Sequence, residues 1–169
     1  SGNAQFVMEQ LDKGLIDFGV VFGPVDQTKY NSLEIPFQDT WGVLMRQDSP
    51  LASKKLISPQ DLWDKPLIIS EQESTQEGLS AWLQKKTGEL EIVATYNLLF
   101  NASLMVAEGL GYAIGFDHII NTSCGSSLCF RPLSPKREAG LSIIWKKYQI
   151  FSRASEKFMQ KIKELMTQE

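Results

Sequence analysis

The order of local signals limits the fold of this chain most strongly. A segment with helical period, then glycine, then a short apolar run occurs in two places. Residues 3–13 carry Ala4, Val7, Met8 and Leu11 at helical spacing, with Asn3 placed to cap and Gly14 to stop. The run "LIDFGVVFG" (15–23) follows, reads as a buried strand and is closed by Gly23-Pro24. Later, Asn97 is placed to cap a helix carrying Ala102, Met105 and Val106. Gly109 and Gly111 follow, and then the strand "YAIGF" (112–116). Strands separated by helices predict α/β layers with parallel strands. A glycine pair beside a strand also invites a nucleotide reading. In a dinucleotide fold, however, the glycines stand between a strand and the next helix, so that phosphate meets a helix N-terminus. Here the order is reversed. Gly109 is expected to end the helix in left-handed conformation, and Gly111 to permit a close turn.

The remaining elements fit the same layers. "SLEIPFQDTWGVLMRQDSPLA" (32–52) predicts two extended segments, Leu33 to Phe37 and Trp41 to Met45. "ISPQDLWDKP" (57–66) predicts a short helix with Ser58 as cap, and "PLIIS" (66–70) a buried strand. Ser74 and Glu77 form a capping box ahead of Leu79, Trp82 and Leu83. "LEIVATY" (90–96), "LCFRPLS" (128–134) and "GLSIIWKK" (140–147) are expected strands. The chain closes on an amphipathic helix with Ser152 as cap and Ala154, Phe158, Ile162, Leu165 and Met166 on its apolar face. There is no internal repeat and no low-complexity segment.

Composition excludes several function classes. With 169 residues, 43% hydrophobic and 22% charged, the chain can bury a sizeable core in one domain or two small lobes. No apolar run approaches the ~20 residues of a membrane helix, and no signal segment is visible. A net charge of −3 disfavours a large nucleic-acid footprint, so these residues are not expected to bind duplex DNA. Cys124 and Cys129 flank a Gly-Ser-Ser turn. They read as incidental side chains rather than a redox pair or metal site. His118 is the single histidine, and Asp117 and Glu108 have no partner visible in the sequence. No catalytic constellation, metal site or cofactor motif is present, and an enzyme is not expected.

The segment "VAEGLGYAI" resembles the V-A-x-G-x-G-I-A stretch of LysR-type transcriptional regulators, in their C-terminal effector-binding domain. Its companions appear in the family's order. "EQLDKGLIDFGVVFGP" resembles E-x-L-x-x-G-x-L-D-x-A-I-x-x-G-P, and "LEIPFQDTWGVLMRQDSPLAS" resembles a P-L…L-V…H-P-L-A segment. "LISPQDLWDKPLIIS" resembles I-x-L-x-D-L-x-x-x-P-L-I. The match covers most of the chain and thins after about residue 120. Ser49 stands where the family usually has histidine, and Phe116 where proline is common.

The resemblance implies an α/β fold like the type 2 periplasmic binding proteins: two Rossmann-like lobes joined by two crossover strands, with a small molecule in the cleft between them. Lobe I is expected at 1–39 plus 141–169, without its first strand and helix, and lobe II at 40–140. Trp41 to Met45 and Leu141 to Trp145 would lie near the crossovers. The function implied is sensing of a small, anionic metabolite, with the change passed to a winged helix-turn-helix DNA-binding domain outside this chain. A cytoplasmic homodimer or tetramer is expected for the full-length protein. A solute-binding protein of a transporter shares the fold and is the alternative. Loops after the strands, leading into helix N-termini, would carry the ligand contacts. These are Asn3; Phe22, Gly23 and Pro24; Ser70, Ser74 and Thr75; and Asn97, Leu98 and Leu99.

Overall fold

The computed structural model describes residues 3–72 and 77–166. The chain divides into two compact units, one of Ser1–Gln38 with Ala139–Glu169 and one of Asp39–Glu138. The expected capping-box residues Ser74 and, for its side chain, Glu77 lie outside the described residues, as does Thr75.

In the second unit, strands β3 (Leu67–Ser70), β4 (Ile92–Tyr96) and β5 (Tyr112–Phe116) join the second half of β2 (Tyr30–Arg46) and β6 (Leu128–Pro132). Strand β3 runs parallel to β4 and β5, whereas β2 runs antiparallel to β5 and β6. The expectation of parallel strands therefore holds only where a helix intervenes. Helix α2 (Glu77–Leu83) links β3 to β4, and α3 (Leu99–Ala107) links β4 to β5. Crossovers of that length return the chain to the same end of the sheet. Leu44, Ile68, Ala113 and Leu128 from the sheet pack with Leu99, Ala102 and Val106 from α3.

The exit from α3 follows its glycines. Gly109 has φ +82°, its N–H donates to the Val106 carbonyl at 2.9 Å, and Leu110 N–H donates to Met105 at 3.0 Å. This paired cap satisfies two carbonyls left over by the last helical turn. At Gly111 a Cβ would stand 2.4 Å from the Pro66 carbonyl oxygen, so the close approach is real. The two extended segments expected across 33–45 form one strand, with exposed Pro36 inside it. The expected helix at 57–66 is a 3-10 turn, Pro59–Leu62, because Asp61 turns back to accept from Ser58 N–H (3.0 Å) and Oγ–H (2.8 Å).

In the first unit, helix α1 (Ala4–Asp12) covers β1 (Gly19–Phe22), which pairs antiparallel with β7 (Glu138–Lys146). Asn3 caps α1 as expected, its Oδ1 accepting from Phe6 N–H at 2.9 Å. Gly14, at φ +67°, closes the helix with the same paired bonds, Gly14 to Leu11 and Leu15 to Gln10. Leu11, Val21, Tyr30 and Ile144 form the core of this unit. The strand is shorter than the apolar run suggested. Leu15 lies before the strand and is 68% exposed, and within β1 Val20 is 53% exposed, because the strand alternates rather than being buried on both faces.

The closing helix α4 (Arg153–Met166) starts as expected, with Ser155 N–H donating to Ser152 Oγ at 3.2 Å. Its inward face is made by Ser155 and Met159, which are buried, with Ile162 and Met166 half-buried as expected, whereas Ala154, Phe158 and Leu165 are exposed. From that face the Ser155 hydroxyl donates to Asp17 at 2.6 Å.

Candidate functional site

The site expected from sequence draws on both units. In the second unit, the strand register gathers part of it. Ser70 ends β3 opposite Tyr96, which ends β4, and Phe116 ends β5 opposite Trp41 of β2. Ser70, Asn97, Leu98 and Leu99 therefore collect at the sheet end from which the parallel strands lead into helices. That end carries the positive pole of α3.

Asn97 is not the cap expected of it. The backbone stays extended one residue further, so Leu98 is the N-cap of α3 at φ −128° and ψ 127°, without a side-chain cap bond. The first-turn N–H groups thus have no side chain of their own cap to accept from them. Asn97 is exposed, Leu98 is 36% exposed and Leu99 only 6%. Gly115 makes the burial of Leu99 possible, since a Cβ there would stand 2.8 Å from Leu99 and 2.9 Å from the Tyr96 hydroxyl. The Tyr96 hydroxyl in turn donates to the Ile114 carbonyl at 2.7 Å.

Further residues at this sheet end were not among the site residues expected from sequence. The Trp41 and Phe116 rings stand 4.3 Å apart, and the Arg137 guanidinium lies 4.2 Å from the Trp41 ring centroid. Asp39 is buried at 7% exposure, and burial pushes its carboxyl above the usual carboxylate value, partly offset by the Thr40 N–H it accepts at 2.9 Å. Asp117 accepts from His118 N–H at 2.8 Å, and His118 itself is exposed. The antiparallel register of β2 and β5 sets Trp41 beside Phe116, and the Trp41 N–H donating to the Arg137 carbonyl at 2.9 Å brings in Arg137; no spacing within the chain announces either.

In the first unit, Asn3 caps α1 and Phe22, Gly23 and Pro24 follow β1. Gly23 is needed for its φ of +83° rather than for close backbone approach, because a Cβ there meets nothing within 4 Å. An open depression of about 610 Å³ on this unit is lined by Phe151, Glu156, Met159, Gln160, Lys163 and Glu164, beside α4 and away from these loops. Cys124 is exposed and Cys129 buried, both as free thiols, and burial pushes the Cys129 thiol up. Among the described residues, no group of three or more His, Cys, Asp or Glu is placed to hold a metal ion, and no helix is long and apolar enough to cross a membrane.

The fold is a type 2 periplasmic-binding-protein-like α/β fold, and residues 1–167 match the LysR substrate binding domain family; the chain belongs to that family. It is an effector-binding domain of the LysR kind. Among curated proteins, it is 30% identical over 113 residues to the uncharacterized HTH-type transcriptional regulator YvbU of Bacillus subtilis (strain 168). That alignment covers 67% of this chain and 37% of YvbU, so the chain spans well under half of that relative. Among solved structures, it resembles the effector binding domain of QuiR in complex with shikimate, at TM-score 0.80 and 16% identity, covering 94% of this chain and 76% of that one. It also resembles the CcmR regulatory domain of Synechocystis PCC6803 in complex with 2-PG, at TM-score 0.76 and 15% identity, covering 96% and 79%. Identities this low establish the fold.

Proposed function

We propose that this chain senses a small anionic metabolite for a transcriptional regulator. The observation that carries this reading is the convergence of Ser70, Asn97 and the uncapped start of α3 at one end of the second unit's sheet. Backbone N–H groups at helix starts, with serine hydroxyls and an asparagine amide, favour a small anion without many basic side chains. Asn3, Phe22, Gly23 and Pro24 are further proposed ligand contacts, as are Ser74 and Thr75.

The metabolite acts by binding one arrangement of the units more tightly than another, and it shifts the balance only by that difference. The change is read out through a winged helix-turn-helix domain that contacts DNA in a cytoplasmic homodimer or tetramer. The solved domains of QuiR, in complex with shikimate, and CcmR, in complex with 2-PG, support a small molecule as the ligand class.

The test is a thermal-shift screen of small acids, amino acids and sugars, followed by titration of the compound it selects. A ligand that binds the folded state alone raises stability by ~2.7 kcal/mol at a hundredfold excess over its Kd. Ser70→Ala, Ser74→Ala and Asn97→Ala are each expected to weaken binding. Wild-type affinity in all three would place the ligand elsewhere.

A further inference from the structure

Resting on the effector-binding reading above, we propose that Tyr96 is a positioning residue of that site, holding the end of β3 and the start of α3 in the arrangement that a small ligand meets. Strand β3 lies between β4 and β5 in the sheet. Ser70 stands level with Tyr96, and Ile68 with Ala113, so Ser70 is level with Gly115 two residues further on. Tyr96, Ser70 and Gly115 therefore form one row near the ends of the three strands. The Tyr96 hydroxyl donates to the Ile114 carbonyl of β5 at 2.7 Å, so its side chain spans the width of β3 at Ser70. One buried hydrogen bond thus ties two strands that are not neighbours.

Gly115 is the seat of this tie. A Cβ there would stand 2.9 Å from the Tyr96 hydroxyl and 2.8 Å from Leu99 Cδ1, so both side chains rest on the same bare backbone. Tyr96 and Leu99 are 8% and 6% exposed, whereas Asn97 is exposed and Leu98 is 36% exposed. The two-residue link that carries Asn97 into α3 is thereby pinned at both ends. Leu98, the N-cap of α3, makes no side-chain cap bond, so its position follows from the residues on either side.

Such pinning acts on binding more than on folding. A link already held in its bound shape loses little ordering entropy when a ligand arrives, and release of the restraint appears as weaker affinity. Tyr96→Phe keeps the ring in the core with Leu99 and Ala113 and removes the tie.

The experiment titrates the 169-residue chain with succinate and with inorganic phosphate, and repeats both titrations on Tyr96→Phe and Tyr112→Phe. Tyr112 is the matched control. Its hydroxyl shares a hydrogen bond with that of Ser49 at 3.0 Å, at the opposite end of β5. The wild type should bind at least one of the two anions. Tyr96→Phe should raise that Kd about fivefold, the worth of one hydrogen bond, while Tyr112→Phe leaves it unchanged. Gly115→Ala displaces Tyr96 and Leu99 from their seat and should raise it about tenfold or more. Circular dichroism checks the fold of each variant, and should Gly115→Ala fail to fold, the two tyrosine variants still decide.

Unchanged affinity in Tyr96→Phe, or an equal loss in Tyr112→Phe, overturns the positioning role and leaves the effector-binding reading in place. Binding of neither anion by the wild type overturns the anionic reading, and the proposal with it.

Discussion

Both units use the same device, a helix ended by a left-handed glycine that feeds a strand, yet the two strands end in different situations. After Gly109, β5 enters the middle of a sheet, parallel to β3 and antiparallel to β2, with Ala113 and Ile114 fully buried. After Gly14, β1 pairs antiparallel with β7 and leaves Val20 53% exposed. The caps themselves are alike down to the two hydrogen bonds that close each helix. A local motif therefore decides how a helix stops and where a strand starts. Neighbours distant in sequence decide how deeply that strand is buried.

The largest expected contrast lies in side-chain truncation. Ile114→Ala should cost about 4 kcal/mol, since it opens a cavity in a closed core. Val20→Ala should stay within about 0.5 kcal/mol, as for other exposed positions. Urea unfolding of both variants measures the difference, and similar losses would erase the distinction between the two strands.

Glycine replacement sharpens the comparison at the turns. Gly111→Ala must displace the Pro66 backbone and should cost about 3 kcal/mol. Gly14→Ala meets open space and pays only for its positive φ, about 1 kcal/mol. Thermal unfolding that ranked Gly14→Ala as the worse of the two would contradict the close approach at Pro66.

A smaller effect concerns pH. Burial raises the carboxyl of Asp39 above the ordinary value of 3.8, so the folded chain holds that proton more tightly than the unfolded chain. Its contribution to stability is therefore best below 3.8, declines as pH rises toward the raised value, and stays low above it. Asp39→Asn should remove that decline and be at least as stable as wild type at neutral pH. A pH profile of the unfolding midpoint that is identical in both proteins would refute this.

The smallest contrast is at the helix starts. Asn3→Ala should lose about 1 kcal/mol because its side chain caps α1. Asn97→Ala should change stability by less than about 0.5 kcal/mol, because Leu98 and not Asn97 is the cap of α3. Equal losses would restore Asn97 to a capping role.

How much of this was legible in the sequence follows from the range of the forces involved. The Asn3 cap and the glycine stops were read correctly because each depends on residues within one turn. The order of helices and strands was legible from period alone. Two failures were local, Asp61 turning back to Ser58 and the backbone staying extended past Asn97, and the others depended on contacts across the chain. Ser155 faces inward to meet Asp17, 138 positions away, and no periodicity in 152–166 could reveal it. The mixed strand directions came from connections that lack helices. Ser70 and Asn97 were placed at this sheet end by the rule that loops after parallel strands face ligands. The Trp41–Phe116 pair was missed because only the register of β2 with β5 sets the two rings together.

The central proposal is that a small ligand binds at the sheet end holding Ser70 and Asn97. Hydrogen–deuterium exchange, with and without the compound selected by the thermal-shift screen, tests it most directly. The account predicts slowed exchange at the ends of β3, β4 and β5 and in the first turn of α3. Protection confined to α4, around the depression lined by Phe151, Met159 and Lys163, would contradict it.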